Sequence, residues 1–353
     1  PWGFDFDDRG QGFATCCVIP HLFHIVQGGV YHKQSRPHVN PYVYDDIKTI
    51  RDHTHLSAHG GARFYLADAF PQQYRNRLFM CNIHEHAVLT DILEPRGSSF
   101  VGKHGDDFMP TNDLAWVGFS VEIGPEGGVY ILDWHDTDVC GNKINFPNSG
   151  RVYRIMPKSA KVMAQPNLPA MSDAQLVQLQ THRNDWYVRH SRTLLQSRAA
   201  NGSLDKTLVH RQLTDLFQSA STTPQRLRAL WALQVTGALD HRRLAELLGH
   251  EDAYVRGWSI QFLCEANSVN AFQDASSVDR SPVGRSVLAS FASMANNDRS
   301  PIVRLYLTSA VQRLPFADRW RILEGLASHD EDIDDNNLPR MVWFGLEPMV
   351  PSH

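Results

Sequence analysis

Three copies of one short phrase govern what this chain can fold into. Gly3-Phe4-Asp5-Phe6-Asp7, Gly61-Ala62-Arg63-Phe64-Tyr65 and Gly118-Phe119-Ser120-Val121-Glu122 stand at almost equal intervals. Each sets apolar against polar residues with the period of two that marks a half-buried strand. A turn and a second, more apolar strand follow each copy, at residues 12–17, 77–82 and 128–133. A third strand is expected in two copies, at residues 87–93 and 151–155. Such patterning in a repeat of roughly 40–60 residues is the mark of propeller blades. Residues 1–156 are therefore expected to form about three blades of a β-propeller.

The pattern changes after Met156-Pro157. A polar, Pro-containing connector is expected over residues 157–170, and helical periodicity from 171 to 353. Ser172-Asp173-Ala174-Gln175 has the form of a capping box at the first helix. Four apolar-Arg steps then recur near helix starts, at Val188-Arg189, Leu227-Arg228, Val255-Arg256 and Val303-Arg304. This is the pattern of HEAT-like repeats, whose helix pairs bury their apolar faces only by stacking on neighbours. The arginines are expected to pair with acidic groups of the next repeat. The acidic stretch at residues 328–337 lacks the central Gly and final Glu of an EF-hand and reads as a solvated loop between helices. The chain opens at Pro1 inside a repeat and lacks a capping repeat after Pro351, so it reads as a piece of a longer protein, truncated in its solenoid.

A net charge of −4 argues against a nucleic-acid binder, which carries a basic stripe. No apolar run is long enough to span a bilayer. The five cysteines form no CxxC or CxxCH motif. Three of them fall in expected strands, where a small buried thiol packs well; a Cys81–Cys140 disulfide is the alternative in an oxidising compartment.

Histidine supplies the strongest chemical signal. Of 18 histidines, 11 precede residue 156. His53-x-His55-x3-His59 leads into the second phrase, His84-x-His86 follows its second strand, and His104-Gly105-Asp106-Asp107 comes next. Asp133-Trp134-His135-Asp136 closes the second strand of the third phrase. Imidazole and carboxylate are the usual ligands of divalent metals and the usual proton-transfer groups. Residues two apart on a strand share a face, which would point His84 and His86 one way, and Asp133 and His135 likewise. No spacing matches a zinc signature, and the metal is left unassigned.

Several longer motifs carry a resemblance: His59-Gly60-Gly61-Ala62-Arg63-Phe64-Tyr65, Tyr74-Arg75-Asn76-Arg77-Leu78-Phe79, His104-Gly105-Asp106-Asp107-Phe108, Gly124-Pro125-Glu126-Gly127-Gly128 and Gly150-Arg151-Val152-Tyr153-Arg154-Ile155. In their order the chain resembles the membrane-bound dehydrogenase family of planctomycetes and verrucomicrobia, related to quinoprotein glucose and L-sorbosone dehydrogenases. The resemblance implies the C-terminal half of a six-bladed propeller followed by HEAT-like repeats. It implies an extracytoplasmic, PQQ- and Ca²⁺-dependent dehydrogenase that oxidises a small carbohydrate or alcohol and passes electrons to a cytochrome. A c-type haem would lie in a further domain downstream, and a cytochrome or protein partner could dock on the solenoid. On this reading the catalytic base lies upstream of Pro1. His59, Asp133, His135 and Asp136 become the candidate catalytic lining. Arg63, His84 and Lys103 become candidate cofactor contacts. One departure stands out: where relatives carry a Phe-Arg-Pro-type segment, this chain reads Trp116-Val117-Gly118-Phe119, without the Arg that a quinone carboxylate would seek. The rival reading is a non-catalytic carbohydrate- or protein-binding module built on the same two architectures.

Overall fold

The computed structural model describes residues 1–32, 45–56, 58–138, 142–160, 165–265 and 283–350. Its first part is built of three antiparallel sheets. The first runs β1 (Gly3–Phe6), β2 (Gly12–Thr15) and β3 (Phe23–Ile25). The second orders β4 (His59–Phe64), β5 (Leu78–Asn82), β6 (Ala87–Arg96) and β7 (Ser99–His104), with β8 (Met109–Pro110) also paired to β6. The third orders β9 (Gly118–Ile123), β10 (Val129–Asp133) and β11 (Arg151–Ile155). The repeated phrase is thus the first strand of every sheet. The pattern missed β3, which is only three residues long, and the two added strands of the second sheet.

The glycine of the phrase has a packing reason. A methyl group at Gly3 would lie 2.2 Å from the carbonyl carbon of Gly61. One at Gly61 would lie 2.8 Å from the Val121 nitrogen, and Gly61 itself has φ +69°. First strands of successive sheets therefore meet backbone to backbone, with no side chain between them. Polar bonds reinforce the contact: Phe64 N–H donates to Asp5 Oδ2 at 2.8 Å, and Thr15 Oγ1 donates to Gly61 O at 2.9 Å. Behind them, Tyr65, Phe79, Val88, Trp116, Val121 and Ile131 form a buried core. Cys81 is a free, buried thiol in that core; Cys140 lies outside the described residues.

Ten α-helices follow among the described residues: α1 (Asp173–Gln178), α2 (Asp185–Asn201), α3 (Lys206–Ser219), α4 (Thr223–Val235), α5 (His241–Leu247), α6 (Ala253–Glu265), α7 (Arg285–Asn297), α8 (Pro301–Val311), α9 (Phe316–Ala327) and α10 (Leu338–Leu346). The capping box forms at Ser172 and Gln175. None of these helices is long and apolar enough to cross a membrane. Two compact units result. One comprises Pro1–His24, Thr49–Glu94 and Val101–Ala238; the other comprises Ile25–Lys48, Pro95–Phe100 and Leu239–His353. The change from strands to helices therefore falls inside the first unit, which includes α1 to α4.

The recurring arginines split in direction. Arg256 grips Asp298 with two bonds of 2.8 Å, and Arg304 grips Asp332 at 2.6 and 2.5 Å, both reaching forward as expected. Arg228 instead reaches back to Asp185 at 3.0 Å. Arg189 holds Asp185 of its own helix and Asp5 of β1. The acidic stretch is not a simply solvated loop. Asp332 is buried against Arg304, and Asp335 accepts from Ser98 N and Oγ at 2.7 and 2.6 Å while capping α10. The buried Arg304 guanidinium is charge-paired by a carboxylate that this stretch supplies.

Candidate metal centre

Four segments of the first unit deliver imidazoles to one place. His21 comes from the loop between β2 and β3, and His53 and His55 from the segment before β4. His59 opens β4, and His104 closes β7. The His21 and His59 rings stack with centroids 3.8 Å apart; His53 lies 4.3 Å from His55, and His55 lies 4.4 Å from His104. Asp91 enters from the middle of β6 and is fully buried. Its Oδ2 accepts from His21 Nε2 at 2.9 Å. His53 Nε2 lies 3.1 Å from Asp91 Oδ1, but off the line of a hydrogen bond. Both of those atoms, with Nδ1 of His21 and of His53, are buried without a hydrogen-bond partner.

One donor atom from each of His21, His53, His55 and Asp91 can be chosen so that all lie within 4.8 Å of one another. Orphaned buried lone pairs are costly, and a cation at their meeting point removes the cost. The electrostatics agree. Burial pushes His55 down to about 4, against the pull of Asp91 and with help from neighbouring imidazoles. Burial, then His21 and His55, push His59 down to about 3. Both are neutral at pH 7 and present lone pairs, as ligands must. Burial alone would raise the Asp91 carboxyl, but the facing imidazoles of His21 and His53 hold it well below the usual range.

This donor set does not fit calcium, which takes six to eight oxygen ligands. It fits a late first-row divalent ion, for which imidazole is the favoured ligand. Nor do the expected cations fit a quinone with several carboxylates. Arg63 clamps Glu122 through Nε and Nη2 at 2.8 and 2.6 Å, beside a cavity of about 200 Å³ that Trp186 and Arg189 also line. Lys103 pairs with Glu94 at 2.6 Å.

The structure brings His59 together with His53 and His55, and adds His104. The other expected site residues have different partners. Asp133 Oδ1 accepts from the amides of Val117 and His135, both at 2.8 Å. His135 takes φ +57° and places Nδ1 3.0 Å from Ser149 Oγ and Nε2 3.4 Å from Asp113. The amides of Asp138, Asn145 and Phe146 converge on Asp136 and hold its carboxyl well below the usual range. These three residues organise the loop after β10. His84 and His86 are not on a strand: they lie in the turn after β5. His84 is exposed there, while His86 Nδ1 meets Trp116 O at 2.8 Å.

Sequence reasoning missed His21 and Asp91. Asp91 had a signal, because a carboxylate inside the apolar run Ala87-Val88-Leu89-Thr90-Asp91-Ile92-Leu93 must find buried partners. His21 had none.

The strand-rich part matches a family model described as a domain of unknown function (DUF7133), over residues 2–159. No curated protein matches the chain. Among solved structures, the crystal structure of an engineered protein is similar at 18% identity, covering 52% of this chain and 87% of its own, with a TM-score of 0.29; so loose a likeness carries no argument.

Proposed function

We propose that the strand-rich part is a propeller-type unit that holds a late first-row divalent metal ion, with His21, His53, His55 and Asp91 as its ligands. One observation carries the reading: donors from three separate segments lie within 4.8 Å of one another, and atoms of His21, His53 and Asp91 among them are buried without a hydrogen-bond partner. The propeller assignment is supported by three successive antiparallel sheets whose first strands adjoin through glycine. The HEAT-like assignment of the helices is supported by the forward pairs Arg256–Asp298 and Arg304–Asp332. The wider activity follows the resemblance: an extracytoplasmic oxidoreductase acting on a small carbohydrate or alcohol, with electrons leaving to a cytochrome. A bound ion here would supply Lewis acidity or, if redox-active, an electron relay.

The test starts with the full chain stripped by chelator and loaded separately with Zn²⁺, Cu²⁺ and Ca²⁺. After desalting, metal per chain is counted by mass spectrometry. Zn²⁺ or Cu²⁺ should be retained and Ca²⁺ washed out, and His53→Gln with Asp91→Asn should abolish retention. A chain that keeps no transition metal overturns the proposal. Dye reduction by the loaded protein with a panel of sugars and alcohols separates the oxidoreductase from the binding module.

A further inference from the structure

The two ends of β4 face different surroundings. The histidines gather around its first residue, whereas Arg63 and Phe64, its last two, line a cavity of about 200 Å³. Asp5 of β1, Glu122 of β9 and the first turns of α2 complete the walls. The start of α2 is tied to the chain just after β4, where Asp185 N–H donates to Leu66 O at 2.9 Å. Trp186 and His190 stand one turn apart on α2. Their rings stack with centroids 3.8 Å apart and planes at 22°, and His190 Nδ1 lies 2.7 Å from Trp186 O. The stack holds the indole as a flat, half-buried wall of the cavity.

The charges around this cavity cancel. Glu122 takes two bonds from Arg63, at 2.8 and 2.6 Å. Arg189 divides between Asp5 at 2.7 Å and Asp185 at 2.5 Å, and Arg228 holds the other oxygen of Asp185 at 3.0 Å. Phe64 N–H fills the second oxygen of Asp5. Three guanidiniums thus meet three carboxylates, and every carboxylate oxygen already accepts a hydrogen bond. An ionic ligand would have to break into one of these pairs, and Asp5 is buried, where an unpaired charge is costly. A wholly apolar ligand fails for the opposite reason. Four of the five N–H groups of Arg63 are used, on Glu122, Phe4 O and Ala62 O, and three of the five of Arg189, on Asp5, Asp185 and Phe6 O. An apolar ligand would cover the remaining hydrogens, and the second lone pairs of the carboxylates, without giving them partners.

A hydroxyl group answers both demands, because it accepts from a guanidinium N–H and donates to the neighbouring carboxylate at once. The indole wall asks in addition for an apolar ring face. A saturated ring with hydroxyls around its edge and C–H bonds on its face offers the two together. The volume sets the size: about 200 Å³ is below the ~300–1,000 Å³ of pockets for drug-sized ligands, and holds one such ring. We propose that this cavity binds a single neutral sugar ring, stacked on Trp186 and hydrogen-bonded by the Arg63–Glu122 and Arg189–Asp5 pairs. The ring is a free monosaccharide or the end of a glycan chain. The site goes beyond the metal reading and does not depend on it, because none of its residues is among the metal ligands.

The experiment uses the full chain, stripped of metal by chelator, and saturation-transfer NMR. The probes are D-glucose, D-galactose, D-mannose and N-acetyl-D-glucosamine, each up to about 50 mM, with uracil and inorganic phosphate run beside them. At least one sugar should bind with a Kd in the millimolar range, and more tightly than uracil or phosphate. Trp186→Ala should weaken it about tenfold or more, while Trp186→Phe, which keeps an aromatic face, should cost less than about threefold. Glu122→Gln, at an exposed position, removes a charged acceptor and should weaken the sugar about three- to tenfold without unfolding the chain. His53→Gln with Asp91→Asn should leave sugar binding unchanged. A disaccharide that binds as well as its monosaccharide supports the site with a glycan end as the source, and one that is excluded supports it with a free sugar. The proposal is overturned when no sugar binds the wild type, or when uracil or phosphate binds more tightly. It is overturned equally when Trp186→Ala and Glu122→Gln both bind sugar as the wild type does. Sugar binding lost in the His53 and Asp91 variant but kept in Trp186→Ala belongs to the metal centre and overturns it as well. A chain that retains no metal yet binds sugar at Trp186 fails the metal reading alone.

Discussion

Acid should destabilise the metal-free protein through two particular imidazoles, and the sign follows from their surroundings. The perturbation is a drop from pH 7.5 to pH 4.5 in the presence of a chelator. Burial holds His59 at about 3 and His55 at about 4 in the fold, against 6.5 when free. Both folded values are depressed, so above pH 6.5 neither state takes up the proton and stability is full. Below it the unfolded chain binds protons that the folded one refuses, and stability falls until pH reaches the folded values. Each pH unit across that window is worth about 1.4 kcal/mol per group. By pH 4.5 His59 alone contributes about 2–3 kcal/mol of loss, and His55 slightly less. His55 is only partly buried, so its share is discounted for solvent screening, and together they amount to about 3 kcal/mol. That is a large share of a stability of about 5–15 kcal/mol. The assay is urea unfolding followed by tryptophan fluorescence at both pH values, for the wild type and for the double variant His55→Gln/His59→Gln. The variant should lose about 3 kcal/mol less than the wild type on acidification. Equal losses in the two proteins would refute the reasoning, because the acid sensitivity would then arise elsewhere.

Other substitutions test the frame around the site. Arg304→Met leaves the Asp332 carboxylate buried without its partner and should cost about 3–5 kcal/mol by thermal unfolding; adding Asp332→Leu should restore most of it. Gly3→Ala places a methyl group 2.2 Å from backbone and should cost about 1–3 kcal/mol. At Gly202, where nothing lies within 4 Å and only the φ of +79° resists, alanine should cost about 1 kcal/mol. Asp136→Ala should speed hydrogen exchange at the amides of Asp138, Asn145 and Phe146, which it accepts, while metal retention stays unchanged. Loss of retention in that variant would move the loop after β10 into the site.

Local features of this fold were legible and convergent ones were not. The alternation in the repeated phrase located β1, β4 and β9, and Ser172 and Gln175 marked the first helix cap, because each depends on neighbours within a few residues. His84 and His86 lie just after the second strand of their sheet as expected, but in a turn rather than in extended chain, since Asn82 accepts the amides of His84 and Glu85 and bends the chain there. The centre lay further from view. His53, His55 and His59 share a segment and drew notice. His21 and Asp91 are 70 positions apart and meet only because the first and second sheets pack together. Asp133 and Asp136 show what composition leaves out: their carboxylates accept the amides of their own loop, which no residue pattern announces.

The glycine contacts have a mechanical consequence. His59 stands immediately before Gly60 and Gly61, the residues through which β4 touches its neighbours. A side-chain interface absorbs a small push by rotamer change, but the backbones of β1, β4 and β9 meet with no compliant layer between them. A pull on His59 of a few tenths of an ångström would pass almost undamped to both adjoining strands. The three first strands are stiffly joined, and a displacement of His59 would register as altered hydrogen exchange at Gly3 and Val121.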